Sequence, residues 1–165
     1  TAGQIAATLL IEGGAPRPAV IGATNVSYTA RRRISAFLAR CRAMGVTGEV
    51  LPIAINDYKH GFDGAAQLQG TNIDALFCVN DYLACGVIDR LMRDRALRRS
   101  RPIKIIGHDD IPQASWAAYE LTTFLQPCDV QADQAVDLLV SRIEDPKLTA
   151  RVEFPPVTLV KRKTA

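Results

Sequence analysis

The stretch Ala75-Leu76-Phe77-Cys78-Val79-Asn80-Asp81 decides the fold. Its first five residues are apolar without interruption, as in a strand covered on both faces, and Asn80-Asp81 supplies a helix cap. Beyond it Leu83, Val87 and Leu91 recur at helical spacing. Upstream, Glu49 to Ile55 reads as a strand and Asn56-Asp57 as a cap; Phe62, Ala65 and Ala66 mark the buried side of a helix ending near Gly70. Ala19 to Gly22 is a further short strand, followed by a polar turn from Thr24 to Thr29. A helix then carries Ile34, Phe37, Leu38, Cys41 and Met44 on one face and stops at Gly45. Thr1 caps an opening helix with Ile5, Ala6, Leu9 and Leu10 on one side, closed by Gly13-Gly14, and Ile103 to Ile106 is the next strand downstream. Strands alternating with helices predict an α/β fold, a mostly parallel sheet flanked by helices on both faces.

The last third breaks this rhythm. Gly107 opens an irregular stretch leading to a short strand, Leu121 to Phe124. A helix follows from about Asp129 to Ile143, with Val130, Val136, Leu139 and Ile143 apolar, then a Glu144-Asp145-Pro146 linker. Arg151 to Phe154 and Val157 to Arg162 read as terminal strands around Pro155-Pro156. The chain starts at Thr1 and its first helix begins at once, so it reads as a portion of something longer.

Composition narrows the function. At 165 residues, 48% hydrophobic and 22% charged, the chain can bury a core and is unlike a disordered segment. No run of ~18 apolar residues suggests a membrane span. A net charge of +3 is too small to argue a nucleic-acid surface by itself, and the basic runs (Arg31 to Arg33, Arg93 to Arg101, Lys161 to Lys163) read as solvated faces. Cys41, Cys78, Cys85 and Cys128 are widely spaced, without metal-ligand spacing, and Cys78 and Cys85 sit in apolar runs as small hydrophobes. A reducing cytoplasm is the simplest compartment.

In an open parallel sheet, ligands bind beyond the carboxyl ends of the strands. Polar residues gather at those ends: Thr29 and Arg33, Asn56 and Asp57, Asn80 and Asp81, then His108, Asp109 and Asp110. Guanidinium, amide and carboxylate groups supply the paired donors and acceptors that a polar small molecule needs. Each Asn or Asp alone is explained as a helix cap; the expectation of a site rests on their convergence. Catalytic signatures are missing: no G-x-S-x-G, no Walker A, no G-x-G-x-x-G after a strand. His108-Asp109-Asp110 lacks the spacing of a metal set. The reading is therefore of a binding protein, with no enzyme activity, cofactor or metal expected.

The chain resembles the effector-binding core of the lactose/galactose repressor family of bacterial transcription regulators. The matching residues are the opening helix with Gly13-Gly14, Thr29 to Phe37, Ala75 to Asp81, Ile106-Gly107-His108-Asp109-Asp110-Ile111-Pro112, Leu121-Thr122-Thr123 with Gln126-Pro127, and Val157 to Lys163, in family order across essentially the whole chain. The resemblance implies part of a two-lobed, periplasmic-binding-protein-like type I core whose ligand lies between lobes. Residues 1–124 would form the C-terminal lobe, 125–156 would cross to the N-terminal lobe, and 157–165 would return as the terminal strand. Carried over by position, Arg33, Asn80 and Asp109 are the principal effector contacts, Thr29 a further polar contact, and Gln126 one near the crossing. Asn56 stands where relatives place a stacking aromatic ring, with Tyr58 or Trp116 as substitutes. His108 replaces a Phe or Tyr, and Ala36 stands where Gly is common. The implied partners are a sugar-like effector, a second subunit in a homodimer, and operator DNA reached through a helix-turn-helix domain that this chain lacks. A piece holding half a cleft is expected to bind effector weakly. The alternative on the same fold is a periplasmic sugar-binding protein of a transporter.

Overall fold

The continuous apolar runs become strands whose alternate residues feed separate cores on the two faces of a sheet. The computed structural model describes residues 1–25, 27–97, 99–153 and 155–165. Strands β1 (Pro18–Gly22), β2 (Glu49–Pro52), β3 (Ala75–Cys78) and β4 (Lys104–Ile106) are parallel, in the order β2-β1-β3-β4. β5 (Thr123–Leu125) adjoins β4 through parallel bridges from Ile106 to Thr122 and Asp109 to Leu125, and β6 (Thr158–Val160) pairs antiparallel with β5.

On one face lie α1 (Ala2–Glu12) and α2 (Tyr28–Ala43), packing Leu10, Ile34 and Phe37 onto Val20, Phe77, Ile106 and Phe124. On the other lie α3 (Tyr58–Gly64) and α4 (Asp81–Arg93), packing with Leu68, Leu83 and Val87 onto Ala19, Ile21, Leu76, Cys78 and Ile105. Val20 facing one way and Ala19 and Ile21 the other is the two-residue period of a strand. Cys41, Cys78 and Cys85 are buried and Cys128 is exposed. Leu10, Leu83 and Val87 are spent on covering the sheet. α5 (Cys128–Glu144) buries none of its residues, leaving Val136, Leu139 and Ile143 exposed. Among the described residues no helix is long and apolar enough to cross a membrane.

The structure departs from the sequence reading in places. Ala66 is exposed, because α3 gives way at Ala65 to a tighter 3₁₀ turn (Ala65–Leu68) that rotates the following side chain outward. β2 ends at Pro52, which has no N–H to continue the ladder, not at Ile55. No strand forms over residues 151–153: β6 already holds the edge of β5, and Pro155 and Pro156 withhold donors. Phe154 of that expected strand, Val26 of the polar turn and Arg98 of the basic run lie outside the described residues. Thr29, expected at the end of the turn, belongs to the first turn of α2, capped by Ser27.

Phe77 ties the sheet to the α1–α2 layer: it is fully buried, stacked on Phe37 with centroids 5.7 Å apart and edge-on to Phe124 at 6.4 Å. Phe77→Ala is expected to lower unfolding free energy by about 3–5 kcal/mol, measured by urea denaturation.

Candidate functional site

Three strand-to-loop junctions deliver the polar residues, and each is held by a hydrogen bond that the local chain requires. After β3, Asn80 caps α4: its Oδ1 accepts from the Leu83 N–H at 2.9 Å. Its Nδ2 donates to the Asn56 carbonyl at 2.8 Å. Asn56 in turn accepts the Ala23 N–H on its Oδ1 at 2.6 Å, tying the loop after β2 to the end of β1. Asp57, not Asn56, is the cap of α3. The capping explanation therefore holds for Asp57 and for half of Asn80; Asn56 instead laces two loops together.

Arg33 reaches this cluster from α2. A Cβ at Gly3 would lie 2.3 Å from the Arg33 carbonyl, so only glycine lets α1 lie this close to α2. The guanidinium donates through Nη1 to the Val79 carbonyl at 2.7 Å, and Nη2 lies 3.9 Å from Asp109 Oδ1. Burial pushes Arg33 below its ordinary pKa, while Asp109 and Asp81 oppose that shift.

Asp109 has positive φ (124°), and Asp110 beside it also (54°). Such backbone costs about 1–3 kcal/mol per residue and persists only where the surroundings enforce it. Here the Asp109 N–H donates to the Phe124 carbonyl at 2.8 Å, and Asp110 is paired with Arg162 at 2.8 Å. The Asp109 side chain is fixed as well. Its Oδ1 accepts from Gln126 Nε2 and lies 2.8 Å from His108 Nδ1, leaving Oδ2 without a hydrogen bond among the described residues. His108 is buried against Phe124, and burial lowers its pKa against the opposing pull of Asp109.

The structure thus brings Arg33, Asn80, Asn56, Asp109 and Gln126 into one connected cluster at the carboxyl ends of the strands. Thr29 stands apart: it lies one helical turn before Arg33, exposed, with its hydroxyl 2.8 Å from Ser27 Oγ. Tyr58 does not turn toward the cluster; it donates to Asp89 and stacks on Phe62. Trp116 is exposed beyond the 3₁₀ turn Pro112–Ser115. Among the described residues no His, Cys, Asp and Glu group could hold a metal ion.

Sequence reasoning treated Asp81 as half of a cap and missed what it does. It is fully buried, and it accepts from Thr123 Oγ1 at 2.6 Å and the Ile111 N–H at 3.1 Å. Burial raises its pKa, opposed by those donors. A Cβ at Gly107 would sit 2.1 Å from Asp81 Oδ1, so the glycine is required by the carboxylate. The available signal was Gly107 itself, directly before the polar run.

The periplasmic binding protein-like domain model matches residues 7–165. The chain belongs to that family. The ribose operon repressor of Escherichia coli (strain K12) is 32% identical over 168 residues, covering 95% of this chain and 49% of that protein. The ribose operon repressor of Bacillus subtilis (strain 168) is 28% identical, covering 98% and 50%. A LacI family transcriptional regulator from Enterococcus faecium, solved with bound ribose, superposes with a TM-score of 0.85 at 24% identity, over 99% of this chain and 61% of that one. The chain spans about half the length of the curated relatives it matches. The resemblance read from the motifs is thereby shown: this is part of a periplasmic binding protein-like domain of the LacI type.

Within that domain, His108 has a measurable signature. Its native pKa lies below the ordinary 6.5, so between the two values the unfolded chain binds more protons. Stability is expected to fall as pH drops below 6.5 and to level off once the native imidazole is itself protonated. In His108→Phe this component of the slope should vanish, which thermal denaturation of both proteins between about pH 8 and pH 5 checks.

Proposed function

We propose that this chain is the C-terminal lobe, with its returning strand, of the effector-binding core of a cytoplasmic LacI-type transcription regulator. It takes a small neutral polyhydroxylated molecule, of the pentose class, on Arg33, Asn80 and Asp109, with Thr29, Gln126 and Asn56 around them. The observation carrying this reading is the one-sided carboxylate of Asp109. His108, Gln126 and Arg33 surround Oδ1, while Oδ2 remains to accept from a hydroxyl, beside uncommitted N–H groups of Arg33 and Asn80. Arg33 and Asp109 cancel in charge and the Asp81 carboxyl lies beneath them, which disfavours an anionic ligand. Ribose in the Enterococcus faecium structure and the ribose operon repressors among the relatives support a neutral sugar.

Residues 125–156 cross to the opposing lobe in this reading, where the exposed apolar residues of α5 find cover and the ligand is enclosed between lobes. The intact protein is a homodimer that meets operator DNA through a helix-turn-helix domain outside this chain, and it is not an enzyme. That the relatives are repressors favours this over a transporter's periplasmic sugar-binding protein.

A thermal-shift screen of the full-length protein tests the reading with D-ribose, other pentoses, hexoses, sugar acids and purines. A neutral sugar is expected to raise the melting temperature by mass action. Arg33→Ala and Asp109→Ala should each weaken that sugar about tenfold or more, since each removes a charged hydrogen-bond partner. Unchanged affinity in both variants, or a preference for sugar acids, overturns the assignment.

A further inference from the structure

At the opposite pole of the sheet, where β1, β3 and β4 begin, the chain forms a hollow of about 730 Å³. Its walls are the α1–β1 loop and the segments leading into β3 and β4. Among the described residues four cationic side chains line it, Arg17, Arg99, Arg101 and Lys104, against one carboxylate, Asp74. That surplus of three is as large as the formal net charge of the chain. Charge of one sign gathered in a concavity focuses its field and raises the local concentration of counter-ions.

The donors there are positioned and incompletely used. Arg99 is fixed through Nη1 to the Ile73 carbonyl at 2.8 Å, and through Nη2 to the Leu68 carbonyl at 2.7 Å and Thr71 Oγ1 at 3.1 Å. Neutral acceptors orient the guanidinium without cancelling its charge, and its Nε–H and one Nη1–H remain. Lys104 Nζ is likewise anchored on a carbonyl, that of Gly13, at 2.5 Å. Arg101 makes no hydrogen bond or ion pair among the described residues. Asp74 is occupied by the Arg17 backbone N–H at 3.0 Å and by its Nε at 3.7 Å. A guanidinium held on neutral acceptors with N–H groups to spare, flanked by further cations, matches phosphoryl oxygens. The volume suits a molecule of sugar-phosphate to nucleotide size.

We infer that this hollow is a second ligand site, separate from the Arg33–Asp109 cluster, that takes a small polyanion bearing phosphoryl groups. Sodium pyrophosphate is the probe, titrated calorimetrically into the full-length protein at low ionic strength. Saturable binding tighter than about 1 mM is expected. Arg101→Ala, which removes a side chain without a hydrogen bond or ion pair among the described residues, should weaken binding about tenfold, and Lys104→Ala should act in the same direction. Arg33→Ala should leave pyrophosphate binding unchanged while it weakens sugar binding about tenfold or more, so this site and the sugar site stand or fall separately. The proposal is overturned by absence of saturable heat, or by wild-type affinity in a folded Arg101→Ala variant. Loss of pyrophosphate binding in Arg33→Ala would move the anion to the other pole. Displacement of pyrophosphate by duplex DNA at equal phosphate concentration would replace the small-molecule reading with a nucleic-acid one.

Discussion

One buried carboxylate organises the carboxyl end of the sheet. Removing Asp81 from water disfavours its charge, and the structure offsets this with the Thr123 hydroxyl and the Ile111 N–H. Those donors come from β5 and from the loop after β4, while Asp81 itself opens α4. A single side chain therefore pins three elements that are distant in sequence, and Gly107 is bare so that the loop can pass over it.

The loop so pinned presents Asp109. Its strained backbone is held from below by Phe124, and its carboxylate is turned by His108 and Gln126. Arg33 arrives independently, carried by a helix whose depth is set by contact with Gly3, and it meets the loop beside the Val79 carbonyl. Local preferences such as the Asn80 cap and tertiary demands such as the Asn56 bridge are satisfied by the same atoms, which leaves few ways for these groups to lie elsewhere.

Much of this was legible in the sequence. Unbroken apolar runs ending in Asn-Asp announce a buried strand feeding a capped helix, and the recurring βα pattern constrains the sheet to be parallel. Convergence of Arg33, Asn80 and Asp109 could be anticipated because a parallel sheet puts all its strand ends on one side. What escaped depended on contacts the chain does not spell out locally. Ala66 fits a helical stripe as well as Ala65 does, and only the tightening after Gly64 turns it to solvent. Arg151 to Glu153 alternate suitably for a strand, but the edge of β5 beside them is already taken by β6. Asp81 looks like any acidic residue opening a helix until β5, far along the chain, closes over it.

The left-handed backbone at position 109 also limits how this molecule can diversify. Outside glycine, short Asp and Asn side chains tolerate positive φ best, and β-branched or bulky residues tolerate it least. The repertoire open to drift at that point is thus almost confined to an acid, its amide, or no side chain. A change in the polar lining of this cluster therefore falls more readily on the helical and loop positions around it than on position 109.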